Sequence, residues 1–289
     1  MKPDDCTLDD DDQRNIRNHA RRVLEGASAM GRFPTPVDDV MEYARVVVAD
    51  ADALDEGYLR KIRKSVTGAL KRAISKVRGV LDVVGRLIYL DRTLYVAKRT
   101  FLKLHETAHA VLPHQCKLYA FVEDCEKTID PDVSEQFDRE ANVFATEVLF
   151  QLDAFTQEAR DEAFGILVPV RLSKKYGASI YASVRRYVST NHRICAVLVI
   201  EPPEFKSGSG FSAKLRRVVT SPEFNRQIGP ISWPDAFSPS DQIGASVPVG
   251  GRKMSRPRPI ALSDRSGIRH ECVAEAFTQK SQVVILSHS

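Results

Sequence analysis

No apolar run in this 289-residue chain approaches the roughly 20 residues that cross a bilayer. The opening, MKPDDCTLDDDDQR, is acidic where a secretory leader would be basic. Both absences predict a cytoplasmic protein. No C-x-x-C pair occurs. The five cysteines, Cys6, Cys116, Cys125, Cys195 and Cys272, are odd in number and widely spread, which argues against a disulfide frame or a four-cysteine zinc site and predicts reduced thiols. There is no internal repeat and no heptad pattern. A strong net charge is also missing: +4 is too small to dictate a nucleic-acid partner.

What is present is ordinary globular composition, 43% apolar and 28% charged, at a length that suits one large domain or two modest ones. The charge is uneven, with thirteen Lys and Arg against two acids between Arg60 and Lys103. Over residues 59–78, Leu59, Ile62, Val66, Leu70, Ala73 and Val77 recur at helical steps while basic residues fill the other positions, so the segment reads as a basic amphipathic helix. Such a helix could dock an acidic partner, touch DNA held by that partner, or serve solubility as a solvated face.

Elsewhere, helices are expected at the N-terminus (Ile16, Ala20, Val23 and Leu24 on one face), over 99–113 up to Pro113, over 133–152, and over 153–165 and 171–190. Residues 46–48 read as a strand, VLDVVGRLIYLDRTLYV as a strand or hairpin, RICAVLVIEP as a strand, and 116–131 as an irregular connection. From Lys206 onward the chain is rich in Gly, Pro and Ser between short β-like pieces. The fold class is α+β.

Chemistry concentrates in LHETAHAVLPHQ, residues 104–115. On a helix, His105 and His109 share a face, so both imidazoles can be directed at one point about 2 Å from each nitrogen, as zinc requires. Glu106, the next residue round the turn, is placed to act as general base on a water held at that metal. A glutamate in this apolar helix, among Leu102, Leu104, Ala108, Ala110, Val111 and Leu112, needs a partner. The alternative is two satisfied helix histidines. His114 lies five residues after His109, not the six of a metzincin, and Pro113 would redirect it. A carboxylate from the 133–152 helix, where Glu135, Asp138 and Asn142 form a stripe, could complete a site of two histidines and one carboxylate.

RTFLKLHETAHAVL, followed some thirty residues later by DREANVFATEVLF, resembles the ImmA/IrrE family of zinc metallopeptidases, with its R-x-x-F-x-x-x-H-E-x-x-H and E-x-x-A-N-x-F-A-x-x-L-L patterns. The resemblance covers roughly residues 35 to 155. It implies Zn2+ as cofactor, His105 and His109 as metal ligands, Glu106 as catalytic base and Asp138, four before Asn142, as the carboxylate ligand. The chain departs from the pattern at 138, where Asp stands for Glu, and at Phe150-Gln151, where family helices carry Met-Pro. Glu135 and Glu140 are the alternative ligands, and Asn142 is expected to orient a metal-binding group or make a core hydrogen bond. The expected organisation is an acidic tip and helix (1–34), a helical zincin-like metallopeptidase domain with a small β-sheet (35–155), a helical extension with a closing strand (156–202), and a β-rich C-terminal region (203–289).

Members of that family cut a helix-turn-helix repressor of the Xre type. The resemblance therefore implies a zinc endopeptidase that derepresses stress-response, mobile-element or toxin–antitoxin genes. Its partner would be a repressor or antitoxin encoded nearby, with any DNA contact made through that partner. The second hypothesis is a regulatory or toxin module on the same scaffold that binds its partner, or nucleic acid, without cutting.

Overall fold

The computed structural model describes residues 8–49, 79–82, 85–90, 93–124, 130–206, 210–278 and 281–288. The expected basic helix over 59–78 lies outside them, as do Cys6 and Cys125. The fold is α+β. Among the described residues, no helix is long and apolar enough to cross a membrane, and Cys116, Cys195 and Cys272 are unpaired thiols. The chain divides into two compact units. The described residues within Asp5–Ala154 join Lys174–Ser179 in the first, and Phe155–Ser173 joins Ile180–Ser289 in the second.

In chain order, the first unit contains α1 (Asp10–Gly26), α2 (Val37–Tyr43), β1 (Val47–Val48), β2 (Gly79–Asp82), β3 (Leu87–Leu90), α3 (Val96–Val111), α4 (Pro113–Asp124) and α5 (Pro131–Leu149). Asp9 caps α1 by accepting from the Asp12 amide at 2.8 Å, and three aspartates in the first turn suit the positive end of the helix dipole. The four apolar residues expected to face inward, Ile16, Ala20, Val23 and Leu24, are buried. Arg17 pairs with the buried Glu147 of α5 at 3.3 Å and also with Asp153. Strands β1 and β2 flank β3, β1 parallel and β2 antiparallel to it, so the expected hairpin forms, with Arg86 at φ +51 in its turn. One small core gathers Met41, Ala44, Val46, Ile88, Leu90 and Ala110, seating α3 against the sheet.

Pro113 does not close the motif helix into an irregular connection. Helix α3 ends at Val111, Leu112 turns extended (ψ 112), and Pro113 opens α4. Proline at a first helical position needs no amide partner and has its φ already set, so the same residue that stops one helix starts the next. The helix expected over 171–190 is also two helices, Leu167–Lys175 and Ile180–Ser189. Gly177 lies between them at φ +64, where a Cβ would be strained and would meet the Pro34 side chain at 3.0 Å.

The second unit contains α6 (Ala154–Arg160), α7 (Leu167–Lys175), α8 (Ile180–Ser189), β4 (Cys195–Ile200), β5 (Glu204–Lys206), β6 (Gly210–Thr220), α9 (Pro222–Gln227), β7 (Ala236–Phe237), β8 (Arg258–Ser263), β9 (Arg269–Thr278) and β10 (Gln282–His288). Its antiparallel sheet runs β5-β6-β4-β10-β9-β8, with β7 added to β6. Strand β4 lies inside this sheet between β6 and β10, so the strand expected to close a separate helical extension belongs to the β-rich region itself. All six residues of β4 are buried, which explains its continuous apolar run CAVLVI. Ala196, Leu198 and Ile200 pack with Ala274, Ala276, Val284 and Leu286 on one face, closed by Phe224 and Phe237.

Where the resembled family carries Met-Pro, Gln151 fastens the end of α5 to the segment after α1. Its side-chain amide donates to the Ala29 carbonyl (3.0 Å), the Arg32 carbonyl (2.6 Å) and Thr35 Oγ1 (3.2 Å), and its Oε1 accepts from the Gly31 amide (2.7 Å). Replacing it leaves buried donors and acceptors unpaired. Gln151→Ala is expected to destabilise this unit by roughly 3 kcal/mol, measured as a lowered urea midpoint by circular dichroism. A wild-type midpoint would show that the clamp carries no stability.

Candidate metal centre

The stretch Leu104–Ala110 of α3 is buried throughout, His105, Glu106 and His109 included. Helix α5 crosses beside it, and the side chains of the two helices meet at the histidines. His105 Nδ1 lies 3.1 Å from Asn142 Oδ1 and His109 Nδ1 lies 2.6 Å from Gln115 Oε1. The Gln115 amide is fixed in turn, because its Nε2 donates to the Phe137 carbonyl (3.3 Å) and to Glu140 Oε2 (2.6 Å). Both Nδ1 atoms face acceptor oxygens and therefore carry the ring protons. Both Nε2 atoms are left as bare lone pairs.

Those lone pairs are 3.3 Å apart. Two neutral imidazoles presenting lone pairs to each other at that distance repel, unless a cation or a proton sits between them. Protonation is disfavoured: burial pushes His105 down to about 3, with His109 adding to the effect, and burial pushes His109 down to about 4. Two nitrogens about 2.05 Å from a tetrahedral zinc are themselves about 3.3 Å apart, so the spacing fits a metal.

Asp138, one turn before Asn142 on α5, completes the group. Its Oδ1 is 3.9 Å from His105 Nε2, and the three ligand atoms lie within 4.8 Å of one another. Among the described residues this is the group of His, Cys, Asp and Glu side chains able to hold a metal ion. Its carboxyl is pushed up to about 6, first by desolvation and then by the nearby Glu135 charge. A cation at the histidines would favour the ionised form. Two imidazoles and one carboxylate make a donor set of the catalytic zinc type.

The two alternative carboxylates face elsewhere. Glu135 pairs with Arg139 along the surface of α5. Glu140 is buried and bound to His114 Nε2 at 2.5 Å and to Gln115. Asn142 stands behind His105, with its Oδ1 at the ring Nδ1. Tyr176 packs into the core against Phe33 and Phe150, Tyr181 accepts from Arg217, and Tyr187 accepts from the Gly165 amide, so none of these three joins the cluster.

Gln115 and Tyr119, both on α4, escaped the sequence reading. His114 has the wrong spacing for a ligand, and no motif marks the residues that follow it. The signal was Pro113: read as a helix start, it places Gln115 and Tyr119 one turn apart on a helix that follows the motif directly. The Tyr119 ring meets the edge of His109 at 5.5 Å and that of Phe137 at 5.7 Å. Burial, then the carboxylates of Asp138, Glu106 and Glu140, push its phenol above the usual range. His114, Glu140 and Gln115 form a chain of hydrogen bonds that ends on His109.

Metal-free stability should follow from these shifts. A His whose folded pKa is depressed binds its proton more readily unfolded, so stability is full above the ordinary value of 6.5 and falls as pH drops toward 4 and 3. The raised Asp138 works in the opposite sense between about 6 and 3.8 and offsets one of the two histidines. The melting temperature of chelator-treated protein is expected to fall from pH 7 to pH 5, and less so in a His105→Ala, His109→Ala variant; equal slopes would contradict the assignment. Removing the support for His109, as in Gln115→Ala, should weaken metal binding about 10- to 100-fold in a competition titration. Unchanged affinity would show that Gln115 does not orient the ligand.

Residues 62–187 match the family Peptidase_M78, described as the IrrE N-terminal-like domain. The match begins later and reaches further than the 35 to 155 suggested by the motifs. No curated protein matches the chain. A solved structure described as a Mycobacterium tuberculosis transcriptional regulator is similar over 96% of this chain and 76% of its own, at 14% identity and a TM-score of 0.51, a likeness of fold. Residues 62–187 therefore carry the pattern of an IrrE N-terminal-like domain, in line with the resemblance to the ImmA/IrrE metallopeptidases.

Proposed function

We propose that the protein is a zinc-dependent endopeptidase, with His105, His109 and Asp138 as metal ligands and Glu106 as the catalytic base. The observation that carries this is the pair of unprotonated Nε2 atoms 3.3 Å apart, with a carboxylate within reach and a buried glutamate on the adjoining residue. Zinc, when bound, would polarise a peptide carbonyl and make a water acidic enough to lose its proton near neutral pH. The chain's own groups do the rest. Glu106 takes the proton of the attacking water and returns it to the leaving amine, which needs one carboxylate in two successive protonation states. Asn142 and Gln115 keep the two imidazoles in the tautomer that leaves Nε2 free.

The resemblance of residues 62–187 to that family supports the substrate: an Xre-type helix-turn-helix repressor or antitoxin encoded nearby, whose cleavage in the cytoplasm derepresses stress, mobile-element or toxin–antitoxin genes. The similar Mycobacterium tuberculosis structure, described as a transcriptional regulator, agrees with a regulatory setting. One observation favours a second reading. Asp138 is half-exposed and its Oδ1 is 3.9 Å from His105 Nε2, about 0.6 Å beyond the ligand spacing of a closed tetrahedral site. A site held this loosely suits a module that binds its repressor partner without cutting it.

Incubation of wild-type protein with the neighbouring repressor separates the two. Zinc-dependent cleavage is expected, abolished by chelator and restored by zinc. Glu106→Gln should retain stoichiometric zinc and cut at least about 1,000-fold more slowly, since both proton transfers are lost. Metal-dependent cleavage by Glu106→Gln at the wild-type rate would overturn the role of Glu106. An intact repressor in a stable complex with the wild-type protein would establish the binding module.

A further inference from the structure

We propose that the second unit binds a small planar aromatic anion, its ring against Phe205 and Phe277 and its charge against Arg252 and Lys253. These residues line a cleft of about 610 Å3, within the size range of small-molecule sites. It opens at one end of the sheet. Ile200, the last residue of β4, pairs with Gln282, which pairs with Thr278, the last residue of β9, so the chain leaving β4 toward Phe205 and the end of β9 share that end.

The lining has a consistent chemistry. Its walls are apolar, and its charged side chains are two cations with no acid. Neither Arg252 nor Lys253 has an acidic partner among the described residues, and both are exposed. Uncompensated cations at the rim of an apolar cleft select a ligand that brings its own negative charge. Phe205 is 71% exposed although it sits on a strand, held edge-on by Phe211 at 6.2 Å. A ring so uncovered is a stacking surface for a planar partner. Thr278 adds a hydroxyl that is buried and lacks a hydrogen-bond partner. A carboxylate or phosphate oxygen entering the cleft would supply one.

The frame is preorganised. Gly250 and Gly251 follow each other at φ +66 and φ +81, a conformation that side chains resist, and this turn delivers Arg252 and Lys253 to the rim in succession. The segment is then stitched to β9. The Thr278 amide donates to the Lys253 carbonyl (2.8 Å), Met254 bridges to Phe277, and the Ser255 amide donates to the Ala276 carbonyl (2.9 Å). Ser255 Oγ closes the ladder by accepting from the Ala276 amide at 2.9 Å. Cations held on a strand-tied loop lose little freedom on binding. The site involves none of the residues assigned to the metal centre, so it stands or falls apart from the peptidase.

The shared chemistry, a flat ring carrying an anion, fits a nucleotide or an aromatic acid. Isothermal titration calorimetry of the full chain with adenosine 5′-monophosphate and with salicylate separates them, beside adenosine (ring without charge) and inorganic phosphate (charge without ring). One of the two anionic ring compounds is expected to bind at one per chain. Binding should weaken about tenfold or more in Phe205→Ala and in the Arg252→Ala, Lys253→Ala double variant, and also in high salt. These residues are exposed, and circular dichroism checks that the variants remain folded. Binding of the nucleotide alone assigns a nucleotide site, and of salicylate alone an aromatic-acid site. The proposal is overturned if neither binds, if phosphate alone binds as tightly as an adventitious ion would, or if both variants bind like the wild type.

Discussion

Two imidazole nitrogens whose lone pairs face each other at 3.3 Å form an arrangement that a folded chain has no reason to build for its own sake. It persists here because each ring is held from behind. Asn142 on α5 accepts from one Nδ1 and Gln115 on α4 accepts from the other, so neither ring can rotate to turn its proton inward without losing a buried hydrogen bond. Burial removes the other escape, protonation. The repulsion therefore stays in the folded chain, and a cation relieves it.

Much of the first unit serves that constraint. Helix α3 is seated on the three-stranded sheet through Ala110, which fixes the height and rotation of the histidine face. Helix α5 brings Asn142 and Asp138 to that face, and its C-terminal end is held by Arg17 of α1 on Glu147 and by Gln151 on the segment after α1. Helix α4 starts directly after α3 because Pro113 begins it, and so returns Gln115 to the back of His109. Glu140 is the quiet member of the set. Buried two residues from Asp138, it orients Gln115 instead of approaching the histidines.

The periodic features were legible from the chain alone. His105 and His109 four apart, the inward stripe of α1, the β2–β3 hairpin and the apolar run of β4 are each set by local spacing, and each appears where the pattern places it. What stayed hidden depends on side chains meeting across sequence. Helical spacing alone does not tell Asp138 from Glu135 or Glu140 as the carboxylate facing the histidines; only the resemblance singled it out, and the rotation of α5, which comes from tertiary packing, decides it. Gln115 was hidden for another reason: a proline can end a helix or begin one, and the ending was read. The split at Gly177 needed the left-handed φ that only the folded backbone displays. The small-molecule cleft could not be read from GGRK, since its walls come from three separate segments, 203–205, 248–253 and 277–278.

The central claim is that Asp138, not a neighbouring carboxylate, completes the site. Zinc competition titration of the wild-type, Asp138→Ala and Glu135→Ala proteins tests it without reference to any substrate. One tightly bound zinc per chain is predicted for wild-type and Glu135→Ala, and a loss of at least about 100-fold in affinity for Asp138→Ala. Wild-type affinity in Asp138→Ala, or a loss of that size in Glu135→Ala, would contradict the assignment.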